Sequence, residues 1–103
     1  MKTVRLEGPE GRRVTVGVNA RRPFLALGDV MATAPGMSWP PNNDEPKTIT
    51  FRNLRFVSVT TVESWAKVFT GSGTTGAQGK ALQRLADWAK SVASTELGVK
   101  ANA

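Results

Sequence analysis

Residues 80–94, KALQRLADWAKSVAS, constrain this chain more than any other stretch. Leu82, Leu85, Ala86, Ala89, Val92 and Ala93 recur at steps of three and four, with Ala81 and Trp88 at the border, while Lys80, Gln83, Arg84, Asp87, Lys90, Ser91 and Ser94 fall opposite. The pattern predicts an amphipathic helix. Its apolar stripe is too wide for a coiled-coil seam and too short to span a bilayer, so the earlier part of the chain must supply a surface to cover it.

That surface reads as β-sheet. Residues 2–7, KTVRLE, alternate with Val4 and Leu6 on one face, and residues 12–18, RRVTVGV, do the same with Val14, Val16 and Val18. Between them Gly8-Pro9-Glu10-Gly11 is turn chemistry, because proline presets one torsion and glycine accepts positive φ. A second β region, residues 47–61, holds Ile49 and Phe51 and then a denser apolar run from Leu54 to Val59, with Arg52-Asn53 as the reversal; one long bulged strand is the alternative. Asn19 as a cap, Pro23 in a first turn, and Phe24, Leu27 and Met31 at helical spacing predict a short helix over 23–32, weakened by Gly28. Thr60 and Glu63 fit a capping box, followed by Val62, Trp65, Ala66 and Phe69 as the apolar face of a helix closed by Gly71. The fold class is therefore α+β, one domain over 1–103: two β-hairpins in a small antiparallel sheet or partly open barrel, packed by the C-terminal amphipathic helix.

Two segments lack a period. Residues 35–46, PGMSWPPNNDEP, carry four of the six prolines and predict an extended arm with polyproline character. Either Trp39 folds back over an edge of the core, or Met37, Trp39, Pro40 and Pro41 form a partner-binding arm that docks on a neighbouring subunit. Residues 70–79, TGSGTTGAQG, predict a flexible joint, and 95–103 a tail. Gly71-Ser72-Gly73-Thr74-Thr75-Gly76 matches a dinucleotide fingerprint, but it follows a helix instead of a strand and leaves no room for the crossover strand. It reads as a linker or lid, or else as a loop that orders against a partner or a nucleic-acid phosphate.

Composition closes most chemical routes. With no cysteine and no histidine, thiolate sites, disulfides and the commonest general base are absent. Asp44 and Glu45 lie beside prolines, Glu7 and Glu10 flank a turn, Asp87 sits between Arg84 and Lys90, and no serine has a base to activate it. We expect no catalytic residues, no cofactor, no metal and no enzymatic activity. The opening residues have no apolar run and no stretch approaches the length of a bilayer span, so a soluble protein made in the cytoplasm is expected, with no membrane partner.

Fourteen Lys and Arg against eight Asp and Glu give a net charge of +6. The candidates for an acidic partner or nucleic acid are Arg12, Arg13, Arg21, Arg22, Arg52 and Arg55, which cluster on the predicted hairpins. Aromatics interleaved for base stacking are missing, since Phe51 and Phe56 read as internal, and no helix-turn-helix reader is evident.

The opening MKTVRLEGPEGRRVTV resembles the start of many small tailed-phage proteins, some of them head, neck, connector or capsid-associated subunits, in a hairpin with a Pro-Glu-Gly turn and no cysteine. The resemblance covers about the first quarter of the chain. It implies a non-enzymatic structural subunit of a virion, made in the host cytoplasm, an oligomer whose partners are copies of itself or other virion proteins, with possible non-specific DNA contact. The alternative is a small basic regulator that binds nucleic acid or a host protein.

Overall fold

The computed structural model describes residues 1–36, 46–71 and 73–99. The elements in chain order are β1 (Lys2–Glu7), β2 (Arg13–Asn19), β3 (Arg22–Ala26), α1 (Leu27–Thr33), β4 (Thr48–Phe51), β5 (Leu54–Ser58), α2 (Val59–Thr70) and α3 (Gly76–Glu96). The five strands form one open antiparallel sheet in the order β1-β2-β3-β5-β4, so the fold is α+β and the sheet does not close into a barrel.

The register explains which side the helices cover. Val4 lies opposite Val16, Val16 opposite Leu25, and Leu25 opposite Val57, so four strands contribute to one apolar row. A neighbouring pair, Leu6 and Val14, widens it. Helices cover this face: Val30 from α1 with Ala34 just past its end, Val62, Trp65, Ala66 and Phe69 from α2, and Leu82, Leu85, Ala86, Ala89 and Val92 from α3 join the strands in a single core. Fully burying one such aliphatic side chain contributes about 1.5–3 kcal/mol, which makes this the main source of stability.

The predicted helix over 23–32 is corrected. Its first half is strand β3, and α1 begins only at Leu27. Asn19 does not cap a helix but pairs with Arg22 across a two-residue turn, Ala20-Arg21, in which both residues have positive φ (51° and 64°). The turn was hidden because neither residue is glycine. Pro23 is tolerated because it sits one residue before the β3–β5 pairing starts at Phe24, where no N–H is needed. The first three strands thus form a meander. The Arg52-Asn53 reversal stands, with φ of 52° and 66°.

Helix α2 starts at Val59, and its N-cap is Ser58, whose Oγ accepts from the Thr61 N–H at 3.2 Å. The Thr60–Glu63 box does not form, since Glu63 instead accepts from Lys90 Nζ on α3 at 2.7 Å. That hydrogen bond raises the Lys90 pKa above its ordinary value of 10.5, with the nearby Glu63 and Asp87 charges adding to the effect against some desolvation. The flexible joint is also shorter than predicted. Gly76 and Gly79 belong to α3, and Gly79 is buried where a Cβ would lie 2.7 Å from the Ala66 carbonyl oxygen, so glycine sets how closely α2 and α3 approach. The tail likewise yields residues 95 and 96 to α3, after which Gly98 (φ 76°) turns the chain back.

Candidate interaction surface

The opposite side of the sheet carries no helix among the described residues. Its side chains follow from the same register: Thr3, Gly17, Phe24 and Ser58 form one row across four strands, and Ala26, Phe56 and Ile49 a second. Phe56 and Ala26 are buried yet stand outside the main core. They belong to a second, smaller apolar cluster. Gly17 makes room for it, since a Cβ there would lie 2.7 Å from Met1 Sδ and 3.4 Å from Phe56 Cε2. Phe24, Ile49 and Met1 at the margin of this cluster remain half-buried.

Cations border that patch on its β1–β3 side. Alternation places Arg5 with Thr3, Arg13 with Gly17, and Arg22 with Phe24, and the one acid on these three strands' shared face is Glu7, opposite Arg13. Arg13 and Arg22 are exposed and project from opposite ends of the patch. Arg5 is fixed in place, with Nη1 donating to Thr15 Oγ1 at 2.8 Å and lying 3.8 Å from Asp29 Oδ2. Asp29 has a structural task as well. It accepts from the Thr15 N–H at 2.9 Å, one residue past the last β2–β3 pair, where β3 has already turned into α1.

The six arginines singled out from the sequence do not form one patch. Arg12, the residue before β2, donates to Thr33 Oγ1 at 2.9 Å and is half-buried, which makes it a brace between the β1–β2 turn and α1. Arg13 lies at that same end of the sheet, as do Arg52 and Arg55, whereas Arg21 and Arg22 lie at the other end. Arg52 covers the Phe51 ring, its Cζ 5.1 Å from the centroid. Arg55 leans toward Thr48 Oγ1 at 3.4 Å, on the helix side of β5. Met37, Trp39, Pro40 and Pro41 lie outside the described residues.

Sequence reasoning missed three parts of this surface: Arg5, Phe24 and an apolar groove. The groove, about 440 Å³, runs between α1 and the β4–β5 turn and is lined by Ala26, Leu27, Met31 and Leu54, with Arg5 and Arg55 beside them. Met31 and Leu54 are two of the three large apolar side chains left exposed among the described residues, at 39% and 45%. A signal for the second cluster was present in the adjacent pair Phe56-Val57: two successive apolar residues on one strand require both of its faces to be covered.

A second cavity, about 590 Å³, opens at the other end of the sheet beside Lys2, Arg21 and the chain that leaves α3 at Leu97. Lys2 and Arg21 share its lining with Leu97, Gly98 and Val99 at the C-terminal end of α3, whose dipole is negative there. Among the described residues no cluster of acids is placed to hold a metal ion, and no helix is long and apolar enough to cross a membrane. Comparison with known protein families, with curated proteins and with solved structures finds no match.

Proposed function

We propose that this chain is a non-enzymatic assembly subunit that works by protein–protein contact, using the face of its sheet that carries no helix among the described residues to dock on an acidic surface of a neighbouring protein. The single observation that supports this reading is the half-buried apolar patch of Met1, Phe24 and Ile49 on that face, bordered by Arg5, Arg13 and Arg22 with Glu7 as the lone acid on β1 to β3. An apolar centre with an arginine rim is the composition of protein interfaces. The resemblance of the opening hairpin to small tailed-phage proteins supplies the setting, a subunit of a phage-type particle whose partners are other virion proteins.

Single-stranded nucleic acid is the competing occupant of the same face. It is less favoured because Phe56 is fully buried and Phe51 lies under Arg52, which among the described residues leaves Phe24 as the one aromatic of the patch with surface to stack on. The test compares fluorescence-anisotropy binding of poly-L-glutamate and of a thymidine oligonucleotide to the wild type and to Arg13→Glu/Arg22→Glu. The reading predicts that polyglutamate binds more tightly than the oligonucleotide and that the double variant loses about tenfold or more in affinity. Tighter binding of the oligonucleotide would install the regulator reading instead, and no binding of either at low salt would reject both.

A further inference from the structure

The groove between α1 and the β4–β5 turn asks for a ligand of mixed character. Met31 and Leu54 offer exposed apolar surface, Arg5 and Arg55 line the same groove, and its lining carboxylate, Asp29, is already engaged by Arg5 and the Thr15 N–H. A fitting segment carries bulky apolar side chains with carboxylates close by and no cation.

The chain itself contains such a segment. Residues 35–46 hold Met37, Trp39 and the adjacent acids Asp44 and Glu45, while all fourteen Lys and Arg lie elsewhere. The global charge sharpens the point: two copies at +6 repel, so they associate only through a locally complementary pair of surfaces. This segment and this groove are such a pair. Met31 adds a thioether suited to an aromatic partner such as indole.

We propose that the groove receives residues 37–45 of a second copy of the chain, the apolar pair meeting Met31 and Leu54 and the acidic pair meeting the arginines. The inference rests on the assembly reading above and names one partner within it. One copy gives the segment and the other the groove, so the exchange either closes reciprocally as a two-fold dimer or repeats head-to-tail into a ring or a filament.

Sedimentation velocity over rising concentration, with circular dichroism to verify folding, tests this. The wild type is expected to exceed the mass of one chain, while Trp39→Ala, which keeps its groove, and Leu54→Glu, which keeps its segment, each stay at one chain. Leu54 is 45% exposed, so its substitution leaves the core untouched. An equimolar mixture of the two variants should form a complex of two chains and nothing larger. A wild type that stays at one chain up to about 1 mM, or a mixture that stays dissociated, overturns the proposal. Should Trp39→Ala fail to fold, a synthetic peptide of residues 35–46 replaces it: it should dissociate the wild-type assembly, and no effect overturns the proposal. If self-association fails while polyglutamate binding persists, this inference falls alone; if polyglutamate binding fails while self-association holds, the acidic-surface reading falls.

Discussion

The two faces of the sheet differ in how they end. On one, the row Val4–Val16–Leu25–Val57 meets three helices and is sealed; on the other, the row Thr3–Gly17–Phe24–Ser58 meets none among the described residues and stays half-open. The difference separates stability from contact. A face sealed by Leu82, Leu85 and Trp65 can do little but hold the fold, whereas a face with Phe56 as its one large buried side chain and an arginine border retains surface for a partner.

The sharpest way to break this contrast is to remove the anchor of each side. Leu82→Ala should cost about 3–5 kcal/mol in denaturant unfolding, because a fully buried leucine leaves a cavity. Phe56→Ala, on the open face but equally buried, should cost about 3 kcal/mol, while Phe24→Ala, half-buried, should cost about 1 kcal/mol. Equal costs for Phe24 and Phe56 would mean that the open face is a second sealed core. Gly79→Ala should cost about 2 kcal/mol, since its Cβ would meet the Ala66 carbonyl and the Thr70 backbone and push α2 from α3. No loss there would show that the helical layer is loosely packed.

Smaller effects come from the rim. Replacing Ala20-Arg21 by Asn-Gly should stabilise the protein by about 1 kcal/mol, because both positions have positive φ and neither residue suits it. The change removes Arg21 and leaves the patch of Arg5, Arg13 and Arg22 intact, so polyglutamate affinity should fall far less than in Arg13→Glu/Arg22→Glu. Lys90→Met should cost under about 1 kcal/mol, as its side chain is 48% exposed and that of its half-buried partner Glu63 is 28% exposed. The sign with pH is fixed by the raised Lys90 pKa: the pair stabilises the fold fully below the unfolded lysine value and fades as pH rises past 10.5. The wild type and Lys90→Met should therefore converge in stability above that pH.

The sealed face was the legible one. The alternation in residues 2–7 and 12–18, the stripe of α3, and Val62, Trp65, Ala66 and Phe69 on α2 all report burial against a core, and period alone reveals them. Strand β3 escaped because Phe24, Leu27 and Met31 share helical spacing across a strand–helix junction, and because the Ala20-Arg21 turn lacks the residues that usually announce one. The arginines were legible as charges and not as contacts. Nothing in the sequence distinguishes Arg12, bound to Thr33 twenty-one positions away, from exposed Arg13 beside it. The groove was illegible for the same reason, since Met31 and Leu54 come to line one groove only through tertiary structure.

The most direct test of the division between faces is a map of backbone amide shifts in the isotope-labelled protein as poly-L-glutamate is added. The account predicts changes concentrated at Thr3, Arg5, Arg13, Gly17, Arg22 and Phe24, suppressed in Arg13→Glu/Arg22→Glu, whose unfolding free energy stays within about 1 kcal/mol of wild type, the new acid facing Glu7 across the strands. Changes centred instead on the outer faces of α2 and α3 would contradict it.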